Sequence, residues 1–259
     1  MKFLNRILAV VVFIALASPA FGQREWTYSL TPTAWGVGLD GAVSLGAFTD
    51  EVRVTYTDGF GGSEIAAGLG FEANNGRFGY FVEGLTLDVS NGGEAPSILT
   101  QTVESSLDHQ IWHAGATYRL RKAGPVIDAV VGVRYFDVDT DIKIIEGGDA
   151  VVKQGATSED WIDVTFGARL KQDIGKRWVG TGYLDFGVGD SALSYQLILG
   201  AGYKFSSNVT GNFGYRLIST DYQVLVDFEG APPPGLKVNQ YHYSSMKLAG
   251  LYANVQFNW

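Results

Sequence analysis

The chain has 259 residues, enough for one ordinary domain or one medium-sized membrane barrel. Charged residues make up only 18% and aromatics 13%, and the 34 glycines follow no three-residue period, which excludes disorder, coiled coil and collagen. The lack of cysteine removes thiolate metal sites, catalytic thiols and disulfides together, and a net charge of −8 argues against nucleic acid as a partner.

Residues 1–22 have the three parts of a secretory signal. Lys2 and Arg6 form a basic start, Ile7 to Ala17 is unbroken apolar, and Ser18-Pro19-Ala20-Phe21-Gly22 ends in small residues. Eleven apolar residues are too few to cross a hydrocarbon layer as a helix, which takes about 20. Cleavage is expected after Gly22, with Ala20 the second choice, leaving residues 23–259 as the mature domain at a charge of about −10, since Lys2 and Arg6 leave a chain of −8. No later stretch holds eighteen consecutive apolar residues, so the mature chain has no candidate transmembrane helix.

Beyond the signal, apolar residues recur at every second position. The first clear face reads Ile65, Ala67, Leu69, Phe71, Ala73 and stops at Asn75. Residues 77–90 alternate less cleanly, with Phe78, Tyr80 and Val82 against Phe81, Glu83 and Leu85; Glu83 is assigned inward. Trp112, Ala114, Ala116, Tyr118, Leu120 follows, then Ile127, Ala129, Val131, Val133, Tyr135. From 162 the two faces separate fully: Ile162, Val164, Phe166, Ala168, Leu170 on one, Trp161, Asp163, Thr165, Gly167, Arg169, Lys171 on the other. Longer runs cover Trp178 to Val188 and Tyr195 to Phe205, and the series closes with Val209 to Leu217 and Leu251 to Trp259.

Nine-residue apolar faces match the ~9–11 residues a tilted strand needs to cross a bilayer. A soluble sandwich also alternates, but its outward faces carry abundant Lys and Glu; here the polar face holds single charges among Gly, Thr, Asn and Gln. Strands can span lipid only as a closed barrel, because every backbone donor and acceptor must be paired without water. Short links at 74–76, 122–124, 175–177 and 206–208 contain Gly or Asn, suited to tight hairpins. Longer links lie near 40–63, 91–103, 144–158, 189–193 and 228–240, and Val52-Arg53-Val54-Thr55-Tyr56 is read as part of the first. The chain is therefore all-β, an antiparallel up-and-down transmembrane barrel of about ten strands, with eight and twelve as alternative counts.

Ten strands close at a backbone radius of roughly 10 Å, leaving a bore of about 5–8 Å once side chains enter. The inward register places Glu72, Glu83, Arg119, Asp128, Arg134, Asp163, Arg169, Asp185, Lys204 and Arg216 in the lumen. Groups this costly to bury singly are expected to pair across it as a hydrated, salt-bridged filling, and a selectivity ring is the sharper alternative. Aromatics at the ends of the apolar face fit interfacial girdles: Trp26, Tyr28, Trp178, Tyr203, Phe205, Phe257 and Trp259 at one end, Trp112 and Tyr135 at the other. Asp137, Asp139 and Asp141 fail as a calcium loop, with Ile142 where Gly and Gly148 where Glu would stand, and mark instead where the strand leaves hydrocarbon. No metal or cofactor is expected.

The ending, Val255, Phe257 and terminal Trp259 in one register with Leu251, resembles the C-terminal signal of Gram-negative outer-membrane β-barrel proteins, with Trp in place of the usual Phe. The stretches Gly76-Arg77-Phe78-Gly79, Gly132-Val133-Arg134-Tyr135, Trp161-Ile162-Asp163 and Leu184-Asp185-Phe186-Gly187 are similar to those of small uncharacterised members. The resemblance implies a location in the outer membrane, partners in its lipid and lipopolysaccharide, and handling by the barrel-assembly machinery during insertion. It carries no reaction. Tyr241-His242-Tyr243-Ser244 resembles faintly the His-x-Ser of outer-membrane phospholipase A, but Ser245-Met246 stands where that family has Asn-Gly. The expected role is thus structural or interactive at the envelope, with at most a narrow pore for small solutes. The alternative is a rim-active lipid-modifying hydrolase using His242 and Ser244.

Overall fold

The computed structural model describes residues 25–45, 48–54, 64–94, 101–121, 124–146, 150–225 and 241–259. The expected signal, residues 1–22, lies outside them. Among the described residues eleven strands follow in chain order: β1 (Thr27–Leu45), β2 (Phe48–Val54), β3 (Glu64–Asn74), β4 (Phe78–Glu94), β5 (Gln101–Arg121), β6 (Val126–Glu146), β7 (Ala150–Ile174), β8 (Trp178–Gly189), β9 (Ser191–Lys204), β10 (Val209–Leu225) and β11 (Tyr241–Asn258). Each pairs antiparallel with its neighbours from β3 to β11, and β1 closes the ring by pairing with both β3 and β11. Ten strands therefore make the wall.

β2 is a correction to the sequence reading. Residues 48–54, expected within a long loop, form a strand against the far half of β1, from Leu39 opposite Val54 to Leu45 opposite Phe48. Only residues 46 and 47 separate the two, and the alternating Val52-Arg53-Val54 suits an extended chain. β2 takes up the edge of β1 where β3 leaves off, so the ring count stays at ten. Thr55 and Tyr56 lie outside the described residues.

The expected long links at 91–103 and 144–158 are largely strand as well. β5, β6 and β7 run 21, 21 and 25 residues, about twice a bilayer crossing. Ile142 and Ile144 carry β6 past its apolar face without a turn signal until Gly147-Gly148, and Val103, Val151 and Val152 supply β-branched residues to the extended parts of β5 and β7. At 189–193 the expected loop is a tight reversal at Asp190, whose N–H donates to the Ile162 carbonyl at 3.1 Å while its carboxylate accepts the Ile162 N–H at 3.0 Å. A side chain here does the work of a strand partner.

The short turns at 74–76, 175–177 and 206–208 are as expected, and residues 122 and 123 of the fourth lie outside the described residues. Gly76, Gly124 and Gly175 adopt φ of 81°, 74° and 69°, a region that side chains disfavour. Asn75 Oδ1 accepts the N–H groups of Arg77 and Phe78 at 3.0 and 2.8 Å, fixing the first hairpin. At the seam Tyr28 and Trp259 exchange backbone hydrogen bonds at 2.9 and 3.0 Å, and their rings stack.

The outside is a coat of apolar side chains. Ile65 is 70% exposed, and Leu120, Phe166, Leu199, Phe213 and Leu251 each more than half. Among the described residues nothing covers this coat, and a closed barrel is one of the two folds that satisfy a backbone in hydrocarbon. Aromatic contacts gather at the short-turn end: Trp26 on Tyr80, Phe78 on Tyr118, Trp178 on Tyr203, Tyr203 on Phe205. Trp112, towards the other end, lies over Gly84, where an added Cβ would meet its ring at 2.6 Å.

Candidate functional site: a plugged lumen with a charged floor

Inward-pointing residues fall into layers along the barrel axis. Nearest the short turns, Lys204 Nζ donates to Asp173 at 2.6 Å, Arg119 grips both oxygens of Asp128 at 2.8 and 3.3 Å, and Arg169 Nη1 donates to Glu72 at 2.7 Å. Arg119, Asp128, Arg169 and Glu72, with Lys171 and the amides Asn212, Asn254 and Gln256, line a cavity of about 550 Å³ that opens at the short-turn end. Asn212 Nδ2 donates to Asn254 Oδ1 at 2.7 Å, which ties β10 to β11 across the cavity wall.

The floor of the cavity is a buried charge layer. Arg216 forks onto Glu83, Nη1 and Nη2 each 2.8 Å from a carboxylate oxygen, with its guanidinium over the Trp35 ring. Residues 216 and 83 are far apart in sequence, and the pairing crosses the lumen from β10 to β4. Arg134 and Asp185, both fully buried, pair from β6 to β8, and Tyr183 Oη donates to Asp185 at 2.5 Å. His113, edge-on to Phe81, contacts Thr165 Oγ1 at 3.1 Å.

Of the ten inward charges read from sequence, the structure joins Glu72 with Arg169, Glu83 with Arg216, Arg119 with Asp128 and Arg134 with Asp185. Asp163 departs from the expected pattern of acid on base. It accepts Ser191 N–H at 3.1 Å and the hydroxyls of Ser191 and Ser194 at 2.6 Å each, locking the reversal between β8 and β9. Lys204 takes as its partner Asp173, which sequence reasoning left out. Lys171 and Tyr183 were also missed as lumen residues with a role; their odd positions in β7 and β8 carry the signal.

The larger omission is above the floor. Trp35, Val37, Leu39, Leu85, Leu87, Ile111, Phe136, Val138, Trp161, Ile218, Tyr222, Met246, Leu248 and Tyr252 form one buried cluster. They come from β1, β4, β5, β6, β7, β10 and β11, so the cluster meets itself across the lumen. Trp161 stacks on Tyr222 at 4.5 Å between centroids and on Phe136 at 5.0 Å. The salt-bridged filling expected from the charges is thus confined to the short-turn half, and the other half is an apolar plug. The alternation hides this, because Trp161 shares its face with Asp163, Thr165 and Arg169 and reads with them as polar, while no alternating face is read for β1.

His242 and Ser244 lie in β11 opposite Val224 and Tyr222 of β10. Their side chains fall outside the described residues. Among the described residues no group of three or more His, Cys, Asp or Glu could hold a metal ion. Val255, Phe257 and Trp259 stand on the outer face of β11, 38%, 44% and 59% exposed.

No family model matches the sequence, and neither does any curated protein. Solved structures similar in shape include Neisserial surface protein A, at 12% identity and TM-score 0.36, covering 89% of this chain and 96% of that one. Ail, the attachment invasion locus protein of Yersinia pestis, in complex with the heparin analogue sucrose octasulfate, is similar at 8% identity and TM-score 0.36, covering 89% and 99%. A major outer membrane protein from Thermus thermophilus is similar at 10% identity and TM-score 0.38, covering 91% and 100%.

Proposed function

We propose that this chain is a small outer-membrane barrel closed to solutes, with a structural or interactive role at the envelope. Its apolar coat supports residence in a bilayer, and a barrel with short turns at one end suits the outer membrane with those turns towards the periplasm. On this reading the 550 Å³ cavity is a periplasmic vestibule, and lipid and lipopolysaccharide are the surrounding partners. The observation that carries the closed state is the plug, above all the stack of Phe136, Trp161 and Tyr222 across the lumen. A water path through that layer would have to part packed aromatic rings.

Planar-bilayer recording tests the proposal. The purified, folded protein should give no discrete conductance steps, whereas Trp161→Ala/Tyr222→Ala, which removes two stacked rings, should admit water and produce them. Regular steps from the parent protein would overturn the closed reading. Handling of the final strand by the barrel-assembly machinery, through Val255, Phe257 and Trp259, belongs to the same proposal.

A further inference from the structure

Three consecutive hairpins at the short-turn end carry bases: Arg77 between β3 and β4, Arg121 at the end of β5, and Lys176 with Arg177 between β7 and β8. The next turn, Ser206-Ser207-Asn208, has none, and nearby Lys204 is engaged with Asp173 at the mouth of the barrel. Among the described residues, the basic groups of these turns therefore occupy one arc of the rim.

Two of them are held on the outside by aromatic rings. Arg77 donates from Nη2 and Nε to Tyr118 Oη at 2.7 and 3.3 Å, with its guanidinium 5.4 Å from the Tyr118 ring and 6.0 Å from that of Phe78. Arg177 Nη1 donates to Tyr203 Oη at 2.8 Å, with its guanidinium 5.9 Å from that ring. That hydrogen bond raises the Arg177 pKa above its ordinary value. Phe78, Tyr118 and Trp178 are exposed on the outer wall, so both guanidiniums sit where the apolar coat ends. Each still has N–H groups to give, because a guanidinium has five. The rings hold the fork in place before any ligand arrives, and a fork of this kind matches a phosphate bidentately. Neighbouring hairpins are two strands, roughly 10 Å, apart, so each base meets its own headgroup.

We infer that this arc binds the phosphates of anionic phospholipids in the leaflet that meets the short turns. The inference rests on the proposed membrane residence. Its consequence is a barrel that gathers anionic lipid on the side of β3 to β8 and leaves the β9–β10 side without such a preference.

The test is native mass spectrometry of the full mature chain, released from mixed micelles containing equal phosphatidylglycerol and phosphatidylcholine of matched acyl chains. The parent should retain phosphatidylglycerol over phosphatidylcholine on the order of fivefold. Arg77→Gln/Arg177→Gln should bring the ratio close to one, and Arg77→Lys/Arg177→Lys, which keeps charge but loses the fork, should fall between. Equal retention of the two lipids by the parent, or a ratio unchanged in the glutamine variant, overturns the inference. Heat-shifted electrophoretic migration of the same samples separates the two failures. A heat-modifiable barrel without lipid preference sinks the lipid arc alone, and a parent chain with no heat-modifiable form sinks the membrane reading with it.

Discussion

At the scale of single residues, the interior is governed by what happens to a charge whose partner is removed. Glu83 and Arg216 satisfy one another through two hydrogen bonds of 2.8 Å, and Arg216 is almost wholly buried. Arg216→Ala should destabilise the barrel by about 3–5 kcal/mol, because it leaves the Glu83 carboxylate in the lumen without its partner. Arg216→Met/Glu83→Leu should recover most of that loss, since two apolar side chains next to Trp35 and Leu85 extend the plug downwards. Urea titration followed by heat-shifted migration measures both. A double variant no more stable than the single one would show that the pair is not the source of the effect. The charges themselves were legible in the sequence, since each sits at an odd or even position fixed by the apolar face. Their partners were not. Alternation says which wall a side chain faces into the lumen from, but Arg134 has Asp163 as its cross-strand neighbour and bonds Asp185 of the next strand instead.

At the scale of elements, hairpins separate what backbone chemistry dictates from what packing decides. Gly175 turns at φ 69° with nothing within 4 Å of where a Cβ would stand, so any cost of a side chain there is conformational. Gly175→Ala should cost about 1–2 kcal/mol and Gly175→Asn clearly less, since Asn tolerates the left-handed region. Urea midpoints of the two variants check this, and equal losses would point to a steric cause. These short turns could be read in advance because Gly and Asn name them. The opposite ends of the strands could not, for a different reason. Thr suits a projecting strand and Ser, Asp and Gly beside it suit a loop, so β5 to β7 read as ending where their apolar faces ended. The reversal at Asp190 was invisible because its stability comes from Ile162, Asp163 and Ser194, brought close only when β7, β8 and β9 are side by side.

At the scale of the molecule, one wall serves two media. Even positions of β7 from Ile162 to Leu170 face outward, Phe166 at 56% exposure, while Trp161, Asp163 and Thr165 face a lumen that leaves them essentially inaccessible. An ordinary soluble protein buries its apolar face and wets the other; this barrel presents the apolar face and seals the mixed one. The same arrangement explains why net charge of −8 coexists with so greasy an exterior, since many of the charges lie inside or at the rims. The absence of native cysteine makes the arrangement directly measurable, as each single-cysteine variant carries one label. Spin labels placed one at a time from 161 to 170 in the bilayer-reconstituted protein should show oxygen accessibility rising and falling with a period of two. Labels at 162, 164, 166 and 168 should be the accessible ones and those at 161, 163 and 165 protected. Accessibility without that alternation, or highest at the odd positions, would contradict a barrel with its apolar side chains in lipid.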